Sequence, residues 1–232
     1  MSTGPGDRWP AENAMAAFAR ALDEGADGVE LDVRLDREGE VVVFHDDDLS
    51  RMTGGRDRRA VRDLSTAELK RVRLDGGDEI PLLAEVLAFC KDRGAGVNVE
   101  LKRGGGPMHE LGRRTAEVVR RSGAEVLFSS FDPRLLAATM TVLPRGRRAW
   151  LTLTARRWSV PAVVAVARRP LFSAVHLEKT QATESLVRRL RARGVHVGVW
   201  TVNDVDEAKR FFDYGVSWLV TDAPGALSGL RR

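Results

Sequence analysis

Short runs of apolar, often β-branched residues alternate along the chain with longer segments in which apolar positions recur at helical spacing. The short runs predict strands at residues 28–33, 97–102, 126–131, 148–153, 174–179, 196–202 and 217–221. The longer segments predict helices at residues 12–24, 82–93, 108–122, 133–142, 160–168, 183–193 and 204–214. Several of these helices lead into a glycine at the expected C-cap position: Gly25, Gly94, Gly123, Gly194 and Gly215.

This regular alternation of strand and helix predicts a parallel sheet with helical crossovers. Neither a change of composition nor a linker divides the chain, so we predict one domain over residues 1–232. Residues 34–80 interrupt the alternation, because the apolar run from Val41 to Phe44 leads into a polar stretch rich in Arg and Asp. We interpret residues 34–80 as an inserted loop segment of that domain.

Polar residues near the C-terminal ends of the predicted strands distinguish a barrel from an open sheet. No G-x-G-x-x-G motif opens a helix after the first strand, which disfavours a dinucleotide-binding fold. In a (β/α)8 barrel, the C-terminal strand ends converge on one active-site face. The pattern therefore predicts an α/β protein with a TIM (β/α)8 barrel, and its polar strand ends are Glu30, Asp32, Glu100, Lys102, Ser130, Glu178, Lys179 and Thr201.

The composition is that of an ordinary soluble globular protein, with 43% hydrophobic and 30% charged residues. The net charge is +4, but the arginine runs fall on or beside predicted helices, which favours solvated helix faces over a nucleic-acid site. The single cysteine, Cys90, excludes an internal disulfide and a cysteine-based zinc cluster. The sequence has neither an apolar run of transmembrane length nor the apolar core of a signal peptide, so we expect a cytoplasmic protein.

Three carboxylates and a lysine are the candidate chemistry of this face. Side chains two residues apart on a strand share a face about 6.5–7 Å apart, so Glu30 lies beside Asp32 and Glu100 beside Lys102. Three carboxylates without cysteine indicate a hard divalent cation, magnesium or calcium. Lys102 offers a point charge to an anion such as phosphate, and His45 can transfer protons near neutral pH. Together they indicate metal-assisted phosphate-ester chemistry.

Each of these features also has a structural explanation. Glu30 and Asp32 are compatible with the exposed face of a two-sided sheet, and Glu100 and Lys102 with a salt-bridged strand end. His45, which precedes three aspartates, is compatible with a polar turn. Their joint occurrence at strand ends, in this order, favours a functional site.

Short stretches along the whole chain carry a resemblance to a known family. They are Glu12-Asn13 with Ala16 to Phe18, Gly25 to Val33, Asp36 to Asp46, Arg51 to Gly54, Ile80 to Leu83, Asn98 to Lys102, Ser129 to Phe131, Trp200 to Asn203 and Thr221 to Pro224. Each stretch alone is a weak signal. In this order and spacing they resemble the motifs of the glycerophosphodiester phosphodiesterase family, whose members adopt a TIM barrel.

The resemblance implies that Glu30, Asp32 and Glu100 bind the metal. It also implies that Lys102 contacts the phosphate as a catalytic and substrate-binding residue, and that His45 is one of two catalytic histidines. The implied reaction is hydrolysis of a glycerophosphodiester to glycerol 3-phosphate and an alcohol. In the mechanism we favour, one histidine deprotonates the glycerol 2-hydroxyl, which attacks phosphorus, and the other protonates the leaving alcohol before water opens the cyclic phosphate.

Two further residues gain substrate-binding roles from the resemblance. Trp200 would line the pocket and pack on the glycerol, although a core aromatic of its strand is the alternative. Glu12 matches a site position of the motif, and the alternative is a charge favoured by the dipole at a helix N-terminus. The implied partner is a small-molecule glycerophosphodiester. Its alcohol, the choice between magnesium and calcium, and the oligomeric state stay open.

The N-terminus departs from the family pattern. The family begins with an apolar strand that ends in His-Arg-Gly, whereas residues 1–13 read MSTGPGDRWPAEN and no histidine precedes His45. We therefore expect the first barrel strand to be missing or degenerate and the activity to be strongly reduced.

Two hypotheses explain this departure. The favoured one is N-terminal truncation, which would also hide any signal peptide, because a barrel without its first strand exposes two edges. The other is a non-catalytic relative that binds metal or phosphate.

A third hypothesis, about the reaction itself, is another metal-dependent barrel enzyme that uses Lys179 as its base.

Overall fold

A computed structural model describes residues 10–104, 108–152 and 171–230, without the side chain of Met108. Its strands form one sheet of eight in the order β2-β1-β3-β4-β5-β6-β7-β8. Every neighbouring pair is parallel except β1 and β2, which are antiparallel. The strands are β1 (Gly28–Leu35), β2 (Val41–Val43), β3 (Gly96–Leu101), β4 (Val126–Ser130), β5 (Arg147–Thr152), β6 (Ala174–Glu178), β7 (His196–Trp200) and β8 (Trp218–Leu219).

Helices lie in the described connections between the parallel strands, as the alternation predicts. The described helices are α1 (Met15–Asp23), α2 (Thr66–Leu69), α3 (Leu83–Asp92), α4 (Met108–Ser122), α5 (Pro133–Thr139), α6 (Glu184–Arg191), α7 (Val205–Tyr214) and α8 (Pro224–Leu227). Each of the five predicted C-cap glycines has a positive φ, between 64° and 96°. The α/β class with a TIM-like curled sheet is confirmed. The helix predicted at 160–168 and the degenerate first strand predicted before residue 10 lie outside the described residues.

The hydrophobic core lies between the sheet and its helices. On β1 and β3, Leu31 and Val99 are fully buried and pack with helix residues such as Leu87 and Leu136. A second cluster joins β6 and β7 to α6 and α7. Because side chains alternate across a strand, the residues between these apolar positions point to the opposite, inner face of the curled sheet. The carboxylates of β1 and β3 therefore lie inside the curl.

The segment after β1 has a small hydrophobic core of its own. Antiparallel pairing of β2 with the end of β1 joins Val33 to Val43. The other face of β2 contributes Val42 to a cluster that includes Phe44, Leu49 and Ile80. Residues 34–80 thus contain packed apolar residues, spaced too widely among polar ones to give a periodic pattern. This cluster supports the turn that carries His45. The interpretation of residues 1–232 as one domain stays a prediction.

Candidate active site

Three carboxylates converge at the C-terminal ends of β1 and β3. Asp32 and Glu100 are direct neighbours in the parallel register, and Glu30 precedes Asp32 by two residues on the same face. One oxygen of each carboxylate lies within 4.8 Å of an oxygen of the other two. Asp32 and Glu100 are buried, at 6% and 7% exposure. The structure thus brings together the three residues predicted as metal ligands.

The ammonium group of Lys102 lies between two of these carboxylates. Its Nζ is 2.8 Å from Oε1 of Glu100 and 3.2 Å from Oδ1 of Asp32. Burial lowers the pKa of Lys102, but the neighbouring charges of Asp32 and Glu100 outweigh burial, so this pKa is raised above its ordinary value. Lys102 is therefore a charged group that is held between Asp32 and Glu100.

One ammonium leaves the cluster with an excess of negative charge. Burial, followed by the charges of Asp32 and Glu100, raises the pKa of Glu30 well above its ordinary range. Burial also raises the pKa of Glu100, against the opposing effect of Lys102. Closely spaced oxygen ligands with unbalanced negative charge are the donor set that magnesium and calcium require. The residues present therefore fit a hard divalent cation.

Asn13 holds Asp32 in place. Its Nδ2 donates to Oδ2 of Asp32 at 2.9 Å, and its Oδ1 accepts from the backbone N–H of Asp32 at 3.0 Å. Asn13 adopts a φ of 62°, in the left-handed region that asparagine tolerates better than most residues. The amide thereby fixes both the strand and the carboxylate orientation ahead of any ligand.

His45 lies at the end of a chain of charged groups. Its Nδ1 is 2.6 Å from Oδ1 of Asp46, and Oδ2 of Asp46 accepts from Nε of Arg51 at 2.6 Å. The Arg51 guanidinium also donates, through Nη2, to Glu12. The side chain of His45 is 47% exposed, so these polar contacts hold an accessible ring. Glu12, predicted to bind substrate, thus lies against Arg51.

The main chain of His45 is held by Arg34, whose side chain is 9% exposed. Nε and Nη2 of Arg34 donate to the His45 carbonyl at 3.0 and 2.6 Å, and Nη1 donates to the Arg103 carbonyl at 3.0 Å. Asp47 supplies the counter-charge. A Cβ at Gly104, where φ is +111°, would lie 2.2 Å from Oδ1 of Asp47. Arg34 thus ties the turn that carries His45 to the chain that follows Lys102.

The barrel interior beside the cluster combines an aromatic wall with polar atoms. The ring of Trp200, at the end of β7, meets Phe131 edge to face at 5.8 Å between ring centroids. Among the described residues, three buried atoms of this region have no hydrogen-bond partner: Nε1 of Trp200, Oδ1 of Asn98 and Oγ of Ser129. Such atoms are uncommon in protein interiors unless a ligand or water satisfies them. The arrangement suits a small polar molecule that also has an apolar face.

The model of the glycerophosphoryl diester phosphodiesterase family matches residues 4–226. The chain belongs to this family. It is 30% identical to the glycerophosphodiester phosphodiesterase of Caldanaerobacter subterraneus over 230 residues, covering 95% of this chain and 92% of the relative. The fold matches an Oleispira antarctica phosphodiesterase in complex with the product sn-glycerol-3-phosphate, with a TM-score of 0.85, 26% identity, and coverage of 97% and 93%. A Thermotoga maritima glycerophosphodiester phosphodiesterase matches with a TM-score of 0.79, 29% identity, and coverage of 95% and 92%.

The chain is therefore a glycerophosphodiester phosphodiesterase-like enzyme. Its four histidines all lie among the described residues. His176, on β6, accepts from Nε1 of Trp218 at 3.0 Å, and burial lowers the pKa of His176 to about 3. His196 begins β7 at the opposite end of the sheet from the carboxylates, and His109 is exposed in the first turn of α4. Of these four histidines, only His45 lies just after β2, beside the carboxylate cluster.

Lys179, the base of the third hypothesis, follows β6 and lies 3.0 Å from Oε2 of Glu207 in α7. This pairing directs its ammonium to a helix rather than to the carboxylates.

In the part of the chain that the structure describes, no helix of this phosphodiesterase-like enzyme is long and apolar enough to cross a bilayer.

Sequence reasoning missed several residues that hold the site. Arg34 continues the alternation of Glu30 and Asp32 by two residues, so the strand pattern could have placed it on the same face. Asp46 directly follows His45, which is a common arrangement for a carboxylate that orients an imidazole. Arg51 lies in the family-like stretch Arg51 to Gly54, but no local rule predicted its contacts, because they depend on how the inserted segment folds.

Proposed function

We propose that this chain hydrolyses glycerophosphodiesters to glycerol 3-phosphate and an alcohol with the help of magnesium or calcium. The carboxylate cluster of Glu30, Asp32 and Glu100 around Lys102 is the observation that carries this proposal. Membership of the family supports the substrate class, as does the product found in the Oleispira antarctica phosphodiesterase.

The cation would be held by the same three carboxylates. When bound, a divalent cation supplies a Lewis acid that polarises phosphoryl oxygens and stabilises the charge that develops on them. Lys102, whose Nζ is 2.8 Å from Glu100 and 3.2 Å from Asp32, would offer its ammonium group to a phosphate oxygen beside these ligands.

His45 is the proton carrier in this proposal. Its Nδ1 is held by Asp46, which leaves Nε2 to accept or donate a proton at the glycerol hydroxyl or the leaving oxygen. Trp200 and Phe131 would pack against the carbon face of the glycerol, and the unpartnered Nε1 of Trp200 would donate to one of its oxygens. Glu12 would contribute a substrate contact on the side of Arg51.

We further propose that turnover is slow. The family mechanism uses two histidines, whereas none precedes His45 in this chain and buried His176 has a pKa near 3. The absence of one acid or base group reduces the rate by roughly 10²- to 10⁴-fold. Cytoplasmic location stays a prediction from the sequence.

The test is release of glycerol 3-phosphate from glycerophosphocholine and glycerophosphoethanolamine, with magnesium, with calcium and with EDTA. We expect slow turnover that EDTA abolishes and that His45→Ala removes, while His196→Ala at the opposite end of the sheet retains it. Turnover that persists in EDTA would contradict metal dependence. Metal binding without turnover by the folded wild type would support the non-catalytic alternative instead.

A further inference from the structure

Arg51 occupies an unusual place beside the reactive histidine. It begins a short 3-10 helix, Arg51–Thr53, on the segment that follows His45. Its guanidinium bridges two carboxylates, since Nε donates to Asp46 at 2.6 Å and Nη2 donates to Glu12. These two residues come from distant parts of the sequence, so Arg51 joins the chain before α1 to the turn after β2.

Both oxygens of Asp46 are used in this arrangement. Oδ2 accepts from Arg51, and Oδ1 lies 2.6 Å from Nδ1 of His45. Partial burial raises the pKa of Asp46, but the hydrogen bonds of Arg51 and His45 outweigh burial, and the pKa is lowered. An ionised carboxylate only accepts hydrogen bonds, so Nδ1 of His45 carries the hydrogen. In the neutral ring, Nε2 is then the free nitrogen.

His45 depends on polar contacts for its orientation. Its side chain is 47% exposed, and its carbonyl is fixed by Arg34 while its ring contacts Asp46. Asp46 has a short side chain on an exposed turn, and a carboxylate with one partner fewer would change rotamer more readily. Arg51 reduces that freedom, because Nε and Nη2 of one planar group donate to Asp46 and to Glu12.

We propose that Arg51 is a positioning residue that acts through Asp46, and that it keeps His45 in the tautomer with Nδ1 protonated and Nε2 available. The kinetic part rests on the proposed function, whereas the tautomer is a property of the resting protein. Direct contact of Arg51 with the substrate phosphate is the competing role. Because the Arg51 guanidinium already bridges Asp46 and Glu12, the geometry favours positioning.

The first test reads the tautomer by ¹⁵N NMR of the imidazole nitrogens in metal-free, substrate-free protein. His45→Gln identifies the His45 signals among those of the four histidines. In the wild type we expect Nε2 of neutral His45 to be unprotonated. In Arg51→Gln we expect signals averaged between the two tautomers, and in Arg51→Lys an intermediate pattern. Unchanged His45 signals in Arg51→Gln would overturn the proposal, whether or not the chain hydrolyses diesters.

The second test separates positioning from phosphate binding by kinetics. We expect Arg51→Gln to lower kcat by about 10- to 100-fold with little change in KM, because a misplaced acid or base affects the chemical step. Arg51→Lys should recover part of kcat. A raised KM with unchanged kcat would assign Arg51 to the phosphate instead.

The matched control is Arg56→Gln. Arg56 lies on the same segment and forms an exposed ion pair with Asp75 at 2.7 Å. We expect it to leave the NMR signals of His45, kcat and KM unchanged. Arg51 is half exposed, so its variants should fold, and a thermal unfolding curve for each variant checks this. An Arg56→Gln effect equal to that of Arg51→Gln would count against a specific role for Arg51.

Discussion

Glu30→Gln should stabilise the metal-free protein and abolish its response to metal. Glu30 shares the cluster with Asp32 and Glu100, all within 4.8 Å, and Lys102 compensates only part of their charge. Burial and these two neighbours raise the pKa of Glu30, which means that its charged form is unfavourable in the folded protein. Glutamine has nearly the same shape without the charge, so it relieves the repulsion but removes an anionic ligand.

The expected magnitude follows from the charges. Two like charges at 4 Å repel by about 4 kcal/mol at an effective dielectric constant near 20. Lys102 offsets much of this repulsion and Glu30 retains some solvent contact, so we expect a gain of about 1 kcal/mol in the free energy of unfolding. For a chain of this size that corresponds to roughly 2–4 °C in Tm. By contrast, metal at 100 times its Kd stabilises the wild type by about 2.7 kcal/mol, or roughly 5–11 °C.

The two effects predict that the order of the Tm values of the wild type and Glu30→Gln reverses between EDTA and metal, and thermal unfolding can measure this. With EDTA, Glu30→Gln should melt above the wild type, and with saturating magnesium or calcium it should melt below it. Glu184→Gln is the control, since Glu184 forms an exposed pair with Arg188 on α6 and should change both conditions by only a few tenths of a kcal/mol. A variant that melts lower in EDTA, or that keeps the full metal shift, would refute the charge argument.

Two further predictions concern residues that hold the site. Asn13→Ala should weaken metal binding about tenfold by calorimetric titration, because Asp32 loses the amide that orients it, and should also lower the free energy of unfolding, because alanine tolerates a φ of 62° less well than asparagine. Asp132→Ala should lower the unfolding free energy at pH 7 by about 1–3 kcal/mol, because the buried carboxylate caps α5 and pairs with Arg103 and Arg134. The pairing with Arg134, opposed by burial, lowers the pKa of Asp132, so this difference is present above the unfolded pKa of about 3.9 and is lost as pH falls through the folded pKa. Urea unfolding at pH 7 and at acidic pH measures it, and a difference that grows at low pH would contradict the sign.

The predicted ligand set depends on local rules that sequence reveals directly. Glu30 and Asp32 share a face because strand side chains alternate, and β1 neighbours β3 because consecutive parallel strands join through one crossover. Those two rules suffice to bring Glu100 beside Asp32. Observed strand bounds differ most at β8, which covers two residues where five were predicted, although Ser217 and Val220 on either side of it still donate backbone hydrogen bonds to β7.

The residues that hold the site could not be predicted in this way, because their contacts join distant segments through irregular chain. Asn13 reaches Asp32 only because it adopts a left-handed conformation before α1. Arg51 reaches Glu12 only because the apolar cluster of residues 34–80 packs the segment against the chain before α1. No periodicity marks single side chains in such loops, so the resemblance singled out the stretches that contain Asn13 and Arg51 but did not reveal which residues they contact.

Not every arginine of this chain lies on a solvated surface. Arginine runs on helices predicted a solvated surface, yet Arg34 is nearly buried and donates to the carbonyls of His45 and Arg103. A buried guanidinium is tolerated when its N–H groups are satisfied and a counter-charge is present, and Asp47 provides that charge. Because Arg103 directly follows Lys102, Arg34 links the backbone on which the proton carrier sits to the backbone that delivers the ammonium. The hydrogen bonds of this buried guanidinium therefore help to fix the spacing between His45 and the carboxylate cluster.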